Sequence, residues 1–281
     1  MNIIRTVQGV SSWSRTLHRE GVIIGLVPTM GALHDGHRAL MRAARVSCDA
    51  VAVSLFVNPR QFGLGEDLAR YPRPFRSDAA VCRDEGVDVL FAPSRETMYP
   101  PGFQTSVSVQ QLSQRWEGAH RPTHFEGVAT IVAKLLSLVR PEKAFFGQKD
   151  FQQAAVIRQL VEDLNLGLQV VVRPTVREPD GLAMSSRNAY LTPTQRRAAP
   201  ILYHALRAGE TALKDGLRSG ARVQAVMLKR LSMEARIRID YLSVCDPVTL
   251  EPLRRITRKA VLLGAIRVGR IRLIDNLLVQ A

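Results

Sequence analysis

Along the first two thirds of the chain, short apolar runs alternate with stretches of helical spacing. The runs at 22–27, 50–57, 87–91, 144–146 and 168–172 are rich in Val, Ile, Leu or Phe and read as strands. Between them, 38–47, 77–85, 128–139 and 152–164 carry apolar residues at the 3.6-residue period of amphipathic helices. Strand, helix, strand, repeated, predicts an α/β fold: a Rossmann-like parallel sheet covered on both faces. Ligands of such sheets collect beyond the C-terminal ends of the strands. There the segments 28–37, 58–61, 147–150 and the residues after Pro174 would emerge on one crevice.

The pattern changes after Asn188. Thr192-Pro193 reads as an N-cap followed by proline at the first helical position, and helical runs follow around 198–213 and 223–235. Strand-like segments come next at 237–244, 260–268 and 272–273. The expected organisation is a Rossmann-like catalytic domain over 1–187 and a smaller α+β C-terminal lid domain over 188–281.

Composition narrows the class. A hydrophobic content of 46% over 281 residues supports a folded globular protein. The start, MNIIRTVQGV, lacks the basic and long apolar regions of a secretory signal, and no run of about 18 apolar residues is present to span a bilayer. A cytoplasmic protein without membrane association is the expectation. Cys48, Cys82 and Cys245 form no CxxC pair, so they read as reduced packing residues rather than disulfide or zinc ligands. The formal charge of +14 is concentrated at the end, where residues 188–281 hold 17 Lys+Arg against 7 Asp+Glu. Few aromatics are interleaved there, Tyr203 and Tyr241 after Tyr190, so a base-stacking platform is poorly supplied and no specific nucleic-acid partner is expected. An arginine-biased surface or steering of anionic substrates accounts for the excess.

Four segments carry candidate chemistry, and each has a plain structural alternative. In VPTMGALHDGHRAL, 27–40, a strand breaks at Pro28 into a helix start, where unpaired backbone N–H groups and the helix dipole receive phosphate. His34 and His37 bracket Gly36 and suit a polyphosphate that gains charge and leaves; surface histidines at a helix start are the alternative. In AFFGQKDFQQ, 144–153, Lys149 can hold a phosphate as a point charge and Asp150 can bind ribose hydroxyls or hydrated Mg²⁺, unless Asp150 merely caps a helix. In GLAMSSRNAYL, 181–191, Ser185, Ser186 and Arg187 can clamp the β- and γ-phosphates; an ordinary loop is the alternative. In FVNPRQF, 56–62, Asn58 and Gln61 offer neutral hydrogen-bonding groups which, with Gln153, suit a small hydroxy acid. Asn-Pro can equally nucleate a turn.

Taken in order, PTMGALHDGH, FVNPRQFG, EDLARYPR, GVDVLFAPS, ETMYP, RPTHFEGVATIVAKL, FGQKDFQQ, PTVREPDGLAMSSRNAYL and the terminal RLIDN resemble the pantoate–β-alanine ligase (pantothenate synthetase) family over nearly the whole chain. The HxGH segment also relates that family to other nucleotidyltransferases and to class I aminoacyl-tRNA synthetases, whose mobile KMSKS loop the MSSR stretch resembles. The resemblance implies a two-step ligation. ATP and pantoate give an enzyme-bound pantoyl adenylate and diphosphate; the amine of β-alanine then displaces AMP. It implies an ATP site of Met30, Gly31, Ala32, Leu33, His34, Asp35, Gly36, His37, Gly147, Gln148, Lys149, Asp150, Val176, Met184, Ser185, Ser186 and Arg187. His37 would be the proton donor, with His34, Lys149 and Arg187 also catalytic, and Gln61, Gln153 and Asn58 would serve pantoate and β-alanine. Mg²⁺ would accompany ATP, near Asp150, and the chain would form a homodimer. Two departures stand out: Arg60 occupies a position where methionine is common in the family, putting a positive charge beside the pantoate site. Leu64-Gly65 replaces a proline-containing pair. An AMP transferase acting on a phosphorylated acceptor shares HxGH, and an RNA-binding role for the basic end is the other reading the residues leave open.

Overall fold

The computed structural model describes residues 1–280. They fall into two compact units, one comprising 1–147 with 152–174, the other 148–151 with 175–281.

The first unit is built on a six-stranded sheet of order β1-β4-β3-β2-β5-β6, parallel throughout. The strands are β1 Asn2–Ile4, β2 Ile24–Thr29, β3 Ala50–Leu55, β4 Val89–Phe91, β5 Lys143–Gly147 and β6 Gln169–Arg173. The central strands are apolar on both faces, as a doubly covered parallel sheet demands. The helices Asp35–Ser47 and Phe75–Asp84 pack Leu40, Met41, Ala44, Ala79 and Cys82 against Val27, Val51, Val53 and Leu90. The helix His124–Val139 is buried along most of its length. It is tied to the helix Val7–Arg19 by the Ser14 hydroxyl, which donates to the Val139 carbonyl at 2.5 Å. Strand order reverses between β2 and β5, so segments leaving their C-terminal ends sit at the switch point where ligands of such sheets bind.

The second unit carries an antiparallel sheet of β7 Ile237–Cys245, β8 Lys259–Val268 and β9 Ile271–Gln280. Leu202, Leu206, Val223, Met227 and Leu231 of the helices Ile201–Lys214 and Gly220–Leu231 pack on it. Thr192 caps the helix Pro193–Ala198 with Pro193 in its first turn, as its sequence predicts. The α/β class and the parallel-then-α+β order stand as the pattern predicts.

The contact boundary lies at Pro174/Thr175, upstream of the expected 187/188, because Leu182 belongs to the C-terminal core and Arg177 pairs with Asp275. Strand β1 is too short and too exposed for its pattern to announce it. Strand β9 runs far beyond 272–273, because Asp275 and Asn276 interrupt its apolar run. All three cysteines are buried and none forms a disulfide, and burial pushes the Cys82 thiol up to about 12. Part of the C-terminal basic excess is matched locally. Arg196 reaches Glu178 and Asp180, and Arg267 and Arg272 flank Asp240. No helix among the described residues is long and apolar enough to cross a membrane.

Candidate active site

Strand β2 ends in a turn that regular structure cannot supply. Gly31 (φ 92°) and Ala32 (φ 51°) both occupy the left-handed region, and a side chain at Gly31 would put its Cβ 3.0 Å from Asp78. Asp78, only 2% exposed, holds the turn: its carboxylate accepts from the N–H of Ala32 at 3.0 Å and of Leu33 at 2.8 Å. The helix Asp35–Ser47 follows at once, starting three residues before the predicted 38–47. His34 is its N-cap and accepts the Gly36 N–H on Nδ1 at 3.2 Å, while His37 accepts the His34 N–H on Nδ1 at 3.2 Å. Each ring thus uses Nδ1 as acceptor, which places the proton of the neutral imidazole on Nε2. The ring centroids are 4.1 Å apart with the planes tilted by 48°, so the two imidazoles sit together at a helix N-terminus.

Gln61 ends the short helical turn Pro59–Gln61, and Asn58 caps its start. Asn58, 1% exposed, spends its amide inside the protein. Its Nδ2 donates to Gln61 Oε1 at 3.1 Å and to the Gly127 carbonyl at 3.0 Å, and its Oδ1 accepts from the Tyr99 hydroxyl at 2.9 Å. Gln61 Nε2 in turn reaches Met30 Sδ at 3.1 Å, so the amide segment and the β2 turn touch. Gln153, on the helix Phe151–Asp163, is half-buried; its neighbour Gln152 is fully engaged, donating to the carbonyls of Leu112 and Arg115 and accepting from Glu117 N–H.

The RPTHFEG stretch, to which sequence reasoning gave no task, braces Gln61. His124 Nδ1 donates to the Gln61 carbonyl at 2.9 Å, and Arg121 donates to the same oxygen at 3.1 Å while pairing with Glu66. Gly127 permits the contact, since a Cβ there would lie 2.3 Å from the Arg60 carbonyl oxygen. Burial, with Arg121 adding to it, pushes the His124 imidazole down to about 4, so it is neutral here. Asp78, His124 and Asn276 are polar residues whose sequence signal is only their place beside apolar positions. Arg60 reaches the Thr105 carbonyl at 3.3 Å and Glu126 at 3.7 Å, and its guanidinium lies over the rings of Phe103 and Tyr99.

In the second unit, Gln148–Asp150 forms a single helical turn on which Lys149 Nζ lies 3.6 Å from Asp150 Oδ1. The turn is held by Asn276. The Val176 carbonyl accepts from Met184 N–H at 3.0 Å, next to a bridge between Arg177 and Ala183, so Val176 and the MSSR segment are paired locally. Ser185 caps the turn Ser186–Tyr190 by accepting from Arg187 N–H. Asn188 donates to Glu178 and to the Ala183 carbonyl, fixing the far side of that loop. No cluster of three metal-ligating side chains exists among the described residues. A Mg²⁺ carried largely by nucleotide phosphates, needing one carboxylate such as Asp150, fits these residues; a protein-built metal cage does not.

Residues 2–278 match the family model described as pantoate-beta-alanine ligase. The chain is 49% identical over 280 residues to a pantothenate synthetase of Heliobacterium modesticaldum, covering 100% of each. It is 53% identical over 259 residues to one from Chloroflexus aurantiacus, covering 92% of each. The fold superposes on the crystal structure of pantothenate synthetase from Thermus thermophilus with a TM-score of 0.94 at 48% identity, over 99% of both chains. A pantoate-beta-alanine ligase from Francisella tularensis, complexed with beta-gamma ATP and beta-alanine, superposes with a TM-score of 0.81 at 34% identity, over 99% of this chain and 97% of that one.

Proposed function

The chain belongs to the pantoate–β-alanine ligase family, and from that premise we propose a residue-by-residue account of its reaction. It is an enzyme that joins pantoate to β-alanine with conversion of ATP to AMP and diphosphate. A pantoate carboxylate oxygen attacks the α-phosphorus, the bond to the bridging oxygen breaks, and diphosphate leaves. The amine of β-alanine then attacks the acyl carbon of pantoyl adenylate, and AMP departs with the oxygen of the acyl bond that breaks.

The observation that carries the account is the paired orientation of His34 and His37. With both Nδ1 atoms turned to backbone N–H groups, Nε2 carries the proton that a phosphate oxygen can accept. His37 is the proton donor as charge develops on the departing diphosphate, and His34 is its neighbour in that role. The backbone of 30–36 wraps the nucleotide phosphates, aided by the helix N-terminus. Lys149 and Arg187, with Ser185 and Ser186, neutralise the β- and γ-phosphates, while Gly147, Gln148, Val176 and Met184 line the nucleotide. Gln61 and Gln153 hold pantoate by neutral hydrogen bonds, and Gln61 also serves β-alanine. Asn58 acts on substrate through Gln61, its own amide being occupied. Asp150 would hold the Mg²⁺ that accompanies ATP, which would supply charge neutralisation on the triphosphate. The family resemblance supports a homodimer associated through the N-terminal unit, and a cytoplasmic setting.

The test is isotope exchange between diphosphate and ATP. Exchange that requires pantoate but not β-alanine, with AMP and pantothenate released once β-alanine is added, is the expected result. His37→Ala and Lys149→Ala should each cut exchange by about 10²-fold or more, in keeping with the loss of a transition-state donor. Exchange near the parent rate in both folded variants would refute the site assignment.

A further inference from the structure

Strand β9 buries two polar residues, Asp275 and Asn276, in the middle of an otherwise apolar run. Such groups are costly unless every polar atom is met, and here the partners are instructive. Asn276, 1% exposed, donates from Nδ2 to the carbonyls of Gln148 at 2.8 Å and Lys149 at 3.0 Å, and accepts from Gln148 Nε2 at 3.1 Å. Asp275 accepts two parallel bonds from Arg177, at 2.6 and 2.9 Å, and a third from Asn276 N–H at 2.7 Å. Arg177 also donates to the carbonyls of Gly181 and Asn276 and lies over the Tyr203 ring at 4.2 Å. Tyr203 in turn leaves no room for a side chain at Gly181, where a Cβ would sit 2.1 Å from the ring. None of these bonds belongs to the β-ladder. They go to the turn that carries Lys149 and to the segment 176–184 that leads into Ser185, Ser186 and Arg187.

We propose that Asp275 and Asn276 are positioning residues for adenylate formation: Asn276 sets the backbone of the Lys149 turn, and Asp275, through Arg177, sets the start of the Ser185–Arg187 loop, so that one strand registers both phosphate-binding segments. The inference rests on the roles given above to Lys149 and Arg187. A buried polar pair serving stability alone could be replaced by apolar residues of similar shape with little loss. A pair serving position cannot, because displacing a catalytic group by about 1 Å costs on the order of 100-fold.

The two half-reactions separate these possibilities, since diphosphate leaves only in the first. Asn276→Ala should lower kcat/KM for ATP in pantoate-dependent exchange by roughly 10- to 100-fold. Its KM for pantoate, and its aminolysis of supplied pantoyl adenylate by β-alanine, should stay within about twofold of the parent. In the double variant with Lys149→Ala, exchange should be no slower than in Lys149→Ala alone, because Asn276 acts through that lysine. Losses that multiply in the double variant, or equal losses in both half-reactions, would overturn the proposal. If Asn276→Ala does not fold, Asn276→Leu, which fills the same space and removes the same bonds to Gln148 and Lys149, takes its place in the same cycle. A Lys149→Ala enzyme with parental exchange would instead overturn the reading of Lys149 itself, and the role of Asn276 with it.

Discussion

Keeping His124 buried and neutral should make the fold less stable as pH falls through a defined window. The ring is 8% exposed, donates Nδ1–H to the Gln61 carbonyl, and sits beside Arg121, so a second positive charge there is poorly solvated and repelled. Burial lowers its pKa from 6.5 to about 4. Between those values the unfolded chain binds a proton at this position and the native protein does not, so stability rises with pH across the window. The contribution is complete above pH 6.5 and is lost as pH falls to about 4. At about 1.4 kcal/mol per pKa unit, the shift is worth about 3 kcal/mol. Glu66 and Glu85 are held below the ordinary carboxylate range, Glu66 by Arg121 against burial and Glu85 chiefly by Arg42, so their effects fall at more acid pH. Asp275 works in the opposite sense, its carboxyl raised by burial against the pull of Arg177. Urea unfolding from about pH 4.5 to 7 on the parent and on His124→Gln isolates the histidine by difference. The parent should lose stability more steeply than the variant below about pH 6.5, by up to about 3 kcal/mol in total, while KM for pantoate holds until pH approaches about 4, where the native ring itself takes up a proton. Parallel stability curves for the two proteins would refute the assignment of a neutral, buried His124.

Three further outcomes follow from single contacts. Asp78→Asn replaces one acceptor of the Ala32–Leu33 turn by an NH₂ group facing an N–H, and should cost about 1–3 kcal/mol in kcat/KM for ATP, read by diphosphate exchange; an unchanged value would remove Asp78 from the phosphate turn. Gly127→Ala forces a methyl into the Arg60–Gln61 backbone and should lower stability by about 1–3 kcal/mol in thermal or urea unfolding, together with a raised KM for pantoate. A parental KM would show that the Gln61 turn does not depend on this contact. Arg60→Met should change KM for pantoate by less than about threefold, since Thr105, Glu126 and two aromatic rings already occupy the guanidinium. A tenfold change would mean that Arg60 reaches the substrate.

The parallel sheet and its covering helices were legible because each leaves a local signature, an apolar run or a 3.6-residue period, and the candidate segments stand out as Gly-Pro-His clusters or amide-rich turns at strand ends. The braces were not, for a physical reason. Asp78 meets Ala32 across 46 residues, His124 meets Gln61 across 63, and Asn276 meets Gln148 across 128, and no periodicity spans such separations. The same reasoning explains why they exist. Each candidate site segment leaves regular structure to expose backbone N–H groups or an amide, and so loses the ladder bonds that would hold it in shape. In this fold a buried polar side chain on a neighbouring regular element makes good part of the loss at three of these segments: Asp78 on a helix for the β2 turn, His124 at a helix start for Gln61, Asn276 on a strand for the Lys149 turn. A buried polar residue within an apolar element is therefore the signal to look for. Its expected signature on mutation is a change in one substrate's kinetics larger than the accompanying change in stability.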